Sequence, residues 1–285
     1  MKQGEKLKKT MMNPKILLVG CGKMGGGLLE GLISSKNFNS EIEVLDPFIS
    51  KKNKDFLINN NINFFDSIEK KNKSFYQVAI IATKPTIYEN VFSDLKNNIL
   101  KQEDTLIISI LAGIKIDKIS KIISDYAIVR AMPNIAVSVF DSMTALIGNE
   151  KVTKEQISTT ESIFESVGEI TWLKKESQMD SFTAISGSGP AYFFYLMECI
   201  IEVAIEEGFE KKVANKIARQ LILGSGNLLK TSSFDPKELR DNVTSPNGTT
   251  EEAFKVLIGK ERHFYKLLNK AIKNAKNKSE ELGDF

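Results

Sequence analysis

The chain has 285 residues, of which 42% are hydrophobic and 26% charged, a composition inside the globular range and outside those of collagenous or disordered chains. Its formal charge of +3 is carried by the first ten residues, where Lys2, Lys6, Lys8 and Lys9 stand against Glu5, so the remainder is neutral. A neutral body lacks the clustered basic surface that a polyanionic partner needs, which sets the expectation of no nucleic-acid and no membrane partner.

In chain order, residues 1–13 read as a loose, lysine-rich extension. From about residue 14 to 165, short apolar runs alternate with amphipathic segments. The runs are Ile16–Val19, Ile42–Leu45, Val78–Ala82, Thr105–Ile110 and Ala127–Val129. Each is continuous instead of alternating, as parallel strands covered on both faces must be. After Pro85 the spacing of Ile87, Val91, Leu95 and Ile99 predicts a helix with that stripe on the sheet. Ile16–Val19 is too short for a signal-peptide core or a membrane span, so a soluble, cytoplasmic chain is expected.

Beyond Ser177 the β signals stop. Pro190 stands where a helix begins, and Ala191–Glu207 is apolar on nearly every side until Gly208 ends it. Such a helix must be covered all round, either in the middle of an all-α domain or in a subunit interface. Its hydrophobicity points to a homodimer of swapped or interleaved C-terminal helices. Val213, Ile217 and Leu221 mark a second helix, and Glu251–Ile258 opens a third. Lys266, Lys270, Lys273, Lys276 and Lys278 read as a solvated helix face. Cys21 and Cys199 are the two cysteines and His263 the single histidine. With no paired metal-ligand spacing, reduced thiols and no metal site are expected.

The first apolar run is followed directly by Gly20-Cys21-Gly22-Lys23-Met24-Gly25, then Gly26, Gly27 and the helical Leu28, Leu29 and Leu32. A GxGxxG between strand and helix has a physical reading. The first glycine permits the tight turn, the second admits a pyrophosphate to the backbone, and the third packs helix close to strand. The phosphates then rest on the positive end of the helix. This predicts an α/β chain with an N-terminal Rossmann-type doubly wound sheet over 14–170, binding NADPH or NADH through Gly20, Cys21, Gly22, Lys23, Met24 and Gly25. An all-α C-terminal dimerisation domain over 171–285 follows. Asp46 stands where a carboxylate meets the ribose 2′-hydroxyl and repels a 2′-phosphate. Lys51 and Lys52 follow closely and suit a phosphate, and Asp46-Pro47 also suits a plain turn, so the choice of cofactor stays open.

Five further segments carry a resemblance: Ala82-Thr83-Lys84-Pro85, Ser109–Ile114, Arg130-Ala131-Met132-Pro133-Asn134, Ser186–Tyr192 and Leu239–Thr250. On these the chain, from about residue 14 to 275, resembles the pyrroline-5-carboxylate reductases. The resemblance implies reduction of 1-pyrroline-5-carboxylate to L-proline by hydride transfer to a protonated cyclic imine. It implies that Ala82, Thr83, Lys84 and Pro85 line the cofactor, and that Ala112 and Gly113 let the nicotinamide come close. It places the substrate carboxylate and ring on Ser245, Gly248, Thr249 and Thr250, with Thr250 nearest the imine nitrogen as the catalytic candidate. Asn242 and Glu176 are further substrate-side candidates or simply hold neighbouring loops. Arg130–Asn134 shapes a nearby loop through contacts the sequence does not assign.

Thr249 with Glu252 also fits a capping box, and a capped helix start is in turn an anion site. Asn247 departs from the family's usual glycine, but asparagine tolerates the left-handed backbone. Family members form dimers and larger rings, and the sequence does not choose between dimer and decamer. Two rivals stand beside this reading. A β-hydroxyacid dehydrogenase relies on a lysine near the start of the first long C-terminal helix, and Ala191–Ile205 contains none. A non-catalytic NAD(P)-binding regulator would have an eroded signature loop, whereas Ser245, Gly248, Thr249 and Thr250 are all present.

Overall fold

The computed structural model describes residues 13–36, 38–68, 75–100 and 104–283. The extension expected over 1–13 lies, but for Asn13, outside the described residues. Runs of four or five mostly apolar residues build the sheet centre, because a strand paired on both edges and covered on both faces has no solvated position to fill. In chain order the first unit contains β1 (Ile16–Val19), α1 (Lys23–Ser34), β2 (Ile42–Leu45), α2 (Lys51–Asn59), β3 (Asn63–Phe65), β4 (Val78–Ile81), α3 (Tyr88–Asn98), β5 (Leu106–Ser109), α4 (Ile116–Ser120), β6 (Ile128–Met132), β7 (Ser142–Gly148), α5 (Lys154–Glu165), β8 (Gly168–Trp172) and α6 (Met179–Phe182). The strands form one sheet in the order β3-β2-β1-β4-β5-β6-β7-β8. Every pairing is parallel except that of β6 with β7. The first six positions reproduce the doubly wound dinucleotide-binding order.

Alternate residues of the strands feed two cores. Ile16, Leu18, Val44, Ile80 and Ile108 face α1, whose Leu28, Leu29 and Leu32 are almost wholly buried. Fully burying each leucine stabilises by roughly 1.5–3 kcal/mol. Leu17, Val19, Ala79, Ile81 and Ile107 face α3 and α4 on the other side. The stripe of α3 coincides with the expected one at Leu95, with Val91 and Ile99 packed beside it, but its buried residues in the first turns stand one residue later. A short 3-10 turn occupies Pro85–Ile87, so the helix starts at Tyr88 and buries Tyr88, Phe92 and Leu95, leaving Ile87 exposed.

Two compact units emerge, 1–187 with 275–285, and 188–274. The division therefore falls at 187/188, not at the expected 170/171. Residues after β8 stay with the sheet because Met179 and Ala184 are fully buried and the Ser186 hydroxyl donates to the Met143 carbonyl (3.3 Å). Residues 275–283 also belong there.

The second unit holds α7 (Gly189–Glu206), α8 (Lys211–Thr231), α9 (Pro236–Asn242), α10 (Thr249–Leu257) and the first turns of α11 (His263–Gly283). As expected, Pro190 opens α7 and Gly208, at φ +91°, lies just beyond its end. α7 packs on α8 through a face where Ala214 and Ala218 are fully buried. Phe193, Phe194 and Tyr195 remain 57–67% exposed, so within one chain α7 is not the middle of an all-α domain. By length and composition, Glu176–Glu206 is the one stretch among the described residues apolar enough to cross a membrane, with a mean hydropathy of 1.3 over its best window.

Candidate functional site

Parallel register brings four loops level. Val19 pairs with Leu45 and with Ile81, and Ile81 with Ser109, so Gly20, Asp46, Ala82 and Ile110 follow at one carboxyl edge of the sheet. That is where open α/β sheets bind ligands. Gly20 adopts φ +94°, and a side chain on it would come 2.7 Å from the Ala82 carbonyl oxygen. A methyl on Gly25 would run into the Gly20 carbonyl and come 2.9 Å from Ala82 Cβ. Both glycines are thus consumed by the protein's own packing. Gly22 is not: nothing lies within 4 Å of the position its Cβ would take. It caps α1 without a side chain, and the first N–H groups of a helix have no partner within it. Nearby in sequence order to β4, the Thr83 hydroxyl oxygen is buried and without a hydrogen-bond partner. An open cradle over Gly22 and an orphaned hydroxyl on the neighbouring loop fit a dinucleotide pyrophosphate.

Asp46 fits the plain-turn reading and adds a bond to the glycine loop. Its Oδ2 accepts from the Cys21 N–H (2.6 Å) and its Oδ1 from the Phe48 N–H (2.7 Å), so it makes the turn and also fixes the glycine loop. Asn53, which the sequence did not single out, donates from Nδ2 to the Cys21 carbonyl (2.5 Å). The Cys21 thiol is pushed up to about 11, by burial first and by the Asp46 charge second. Lys52 is paired with Glu30 (2.9 Å), while Lys51, Lys23 and Lys84 are exposed and Met24 leans on the core.

Gly113, at φ +80°, has a different reason for being small than the resemblance implies. A Cβ there would stand 2.9 Å from the Gly283 nitrogen and the Leu282 carbonyl carbon. The end of α11 fills that space, so the missing side chain makes room for a helix. Ala112 is half-buried.

Glu176 ties two loops together. Its Oε1 accepts from the Ile116 N–H (2.8 Å) and from Arg130 Nη1 (3.1 Å). Arg130 is 1% exposed, and its Nη2 lies 4.0 Å from Asp180 Oδ1, which also accepts from the Ser279 hydroxyl (2.8 Å). An arginine inside an apolar strand was the one visible sign of this network, since a buried guanidinium demands a carboxylate. Nothing in the sequence marked Asp180 or Ser279. The second half of the RAMPN segment turns through Asn134, whose side chain accepts from the Ala136 N–H (3.0 Å) and donates to the Ser186 carbonyl (3.3 Å).

The remaining substrate-side candidates lie in the second unit, on the turn from α9 to α10. Asp235 starts α9 with a capping box to Glu238, and Asn242 ends it, exposed. The expected Thr249–Glu252 box does not form. Gly248 is the N-cap of α10 and Thr249 its first residue, because Gly248 already turns back on Ser245, its N–H donating to that carbonyl (3.0 Å). A side chain on Gly248 would meet the Ser245 oxygen at 2.9 Å. Asn247 adopts the left-handed backbone, φ +57°, and its N–H donates to Glu251 (2.7 Å). Glu252 pairs with Lys255 instead (2.5 Å). Ser245 and Thr249 are exposed and Thr250 half-buried, at a helix start whose Thr249 and Thr250 N–H groups have no intrahelical partner.

Comparison with known proteins agrees with both units. Residues 15–113 match the family model described as NADP oxidoreductase, coenzyme F420-dependent, and residues 176–282 the one described as pyrroline-5-carboxylate reductase dimerisation. The pyrroline-5-carboxylate reductase of Synechocystis is 33% identical over 95% of this chain and 99% of its own. That of Escherichia coli is 33% identical over 95% and 99%. Among solved structures, a pyrroline-5-carboxylate reductase from Coxiella burnetii superposes with a TM-score of 0.83 at 32% identity, covering 95% of this chain and 98% of that one. The enzyme of Plasmodium falciparum, solved with NADP bound, does so at 0.81 and 28%, covering 95% and 98%. With relatives this similar along almost its whole length, the chain belongs to the pyrroline-5-carboxylate reductase family.

Proposed function

We propose that this chain reduces 1-pyrroline-5-carboxylate to L-proline with NADH or NADPH. The observation that carries the reading is an end-to-end match to these reductases together with an intact Ser245–Thr250 turn opening α10. When bound, the cofactor supplies the hydride. A cyclic imine takes its proton from solvent before the chemical step, so hydride addition to the ring carbon leaves the electron pair on nitrogen and gives the secondary amine of proline directly. No strong acid is needed, which suits a turn that offers hydroxyls and backbone N–H groups.

In this reading the Gly20–Gly25 loop holds the pyrophosphate, with Asp46 at the ribose and Ala82, Thr83, Lys84, Pro85, Ala112 and the Gly113 backbone along the remaining length. Ser245, Gly248, Thr249 and Thr250 hold the substrate carboxylate and ring, Thr250 hydrogen-bonds the nitrogen, and Asn242 steadies the turn. Glu176 acts at one remove, through the loops it ties together. The protein's contribution to rate is orientation. The exposed aromatic face of α7 pairs with a second copy, giving a homodimer in the cytoplasm that either stands alone or builds a decamer, with no nucleic-acid or membrane partner.

The test is oxidation of NADH and of NADPH by purified protein, with and without pyrroline-5-carboxylate, with proline measured as product. Substrate-dependent oxidation that falls at least about tenfold in Thr250→Ala supports the reading. Cofactor binding without oxidation of either would replace it with the non-catalytic one. Light scattering on Phe194→Glu tests the α7 contact, which requires the mass to fall to that of one chain.

A further inference from the structure

The loop that follows β5 is gripped from both ends by residues remote from it in sequence. At Gly113 the grip is backbone on backbone. Gly283 sits so close that a Cβ on it would stand 2.5 Å from the Gly113 carbonyl oxygen, just as a Cβ on Gly113 would stand 2.9 Å from the Gly283 nitrogen. At Ile116 it is the Glu176 carboxylate, which accepts the first N–H of α4. These two grips are not independent. Glu176 is held by Arg130, Arg130 lies against Asp180, and Asp180 accepts the hydrogen bond of the Ser279 hydroxyl, one turn before Gly283 on the same helix. Asp180 and Ser279 are each 4% exposed, so solvent cannot substitute for either partner.

We infer that the last two turns of α11 are a positioning element for the cofactor-lining loop Leu111–Gly113, with Ser279 and Gly283 as its positioning residues. This rests on the proposed role of Ala112 and Gly113 beside the cofactor. Ser279 sets the height of the helix through Asp180, and Gly283 transmits it to the Gly113 peptide. Neither residue need touch cofactor or substrate. An adequate pyrophosphate site at Gly22 then keeps binding the cofactor when the clamp is loosened, while the far end of the cofactor loses its alignment.

The experiment compares the full chain with Ser279→Ala, Ser279→Thr and Gly283→Val by amide hydrogen exchange without cofactor, by fluorescence titration with NADPH, and by steady-state kinetics. In Ser279→Ala and Gly283→Val, exchange over 111–116 speeds on the order of tenfold while β1 and α1 stay protected. The kcat falls by about tenfold, with the NADPH dissociation constant moving less than about twofold. Ser279→Thr, which keeps the hydroxyl, restores both. Should Gly283→Val fail to fold, Ser279→Ala decides alone. Unchanged exchange and unchanged kcat in a folded Ser279→Ala overturn the inference. The underlying reading has its own control: NADPH added to the unaltered chain must slow exchange over 111–113, and if it does not, the loop does not line the cofactor, whatever the variants do.

Discussion

The Asp46 carboxylate, at the end of β2, accepts the backbone N–H of Cys21 at 2.6 Å, inside the glycine loop. The group expected to choose between ribose hydroxyl and phosphate therefore also holds the loop on which the pyrophosphate would rest. Asp46→Asn keeps an acceptor and loses the charge. It should fold, and its ratio of kcat/KM for NADPH over NADH should rise on the order of tenfold. Asp46→Ala removes the acceptor of a buried N–H and should lower unfolding stability by about 1–3 kcal/mol in urea.

The glycines of the loop separate by what surrounds them. Gly22→Ala adds a methyl where the protein has no atom within 4 Å, so stability should stay within about 0.5 kcal/mol. The NADPH dissociation constant, read by fluorescence, should nonetheless rise at least about tenfold, because that methyl occupies the pyrophosphate approach. Gly25→Ala collides with the Gly20 backbone and should cost about 1–3 kcal/mol of stability whether or not cofactor is present.

Cys21 should be chemically silent. Burial and the Asp46 charge push its thiol up to about 11, so at pH 8 it is protonated, and the thiolate is the reactive form. Iodoacetamide at that pH should leave Cys21 unmodified in the native chain and alkylate it after denaturation, as peptide mass spectrometry would report.

At the opposite edge of the sheet, Lys15 donates to Glu41 and Glu43, both at 2.8 Å, and the buried Tyr76 hydroxyl donates to Glu43. Burial lowers the Lys15 pKa, but the hydrogen bonds to the two glutamates outweigh it and the net shift is upward. Tyr76 is raised by burial and by its bond to Glu43. Both groups hold their protons more tightly folded than unfolded. Their stabilisation is whole below about pH 10, near both unfolded values, and is lost as pH rises through the folded ones. Melting temperature should fall steeply above that pH, and less steeply in Tyr76→Phe.

What the sequence disclosed followed from local chemistry. Five strands could be read because central parallel strands are apolar almost throughout, with only the buried Glu43 in β2 and Arg130 in β6 as charged residues. β3 and β8 are only partly buried, and β7 carries Ser142 and Thr144, buried but polar, ahead of its apolar residues, so none of the three shows an apolar run of four. The turn before α10 was read one residue out. Thr249 and Glu252 have the right spacing for a cap, but the Gly248 N–H bond to Ser245 starts the helix on the glycine. Asn247 was legible, since asparagine at φ +57° is a local property. Gly113 and Glu176 were not, because the atoms that explain them, on Gly283 and on Arg130, belong to other parts of the chain.

The unit that carries the glycine loop is discontinuous, made of residues up to 187 and then of 275–283, with the helical unit between them. On the ribosome it cannot be completed in order of synthesis. The sheet can assemble early, as amino-terminal parts do, but the seat on Gly113 is filled only after the intervening 188–274 has been translated. A nascent chain halted before residue 275 would thus display a formed sheet with an unclosed loop at its carboxyl edge, and the Gly113 loop would be the last part of its own unit to close.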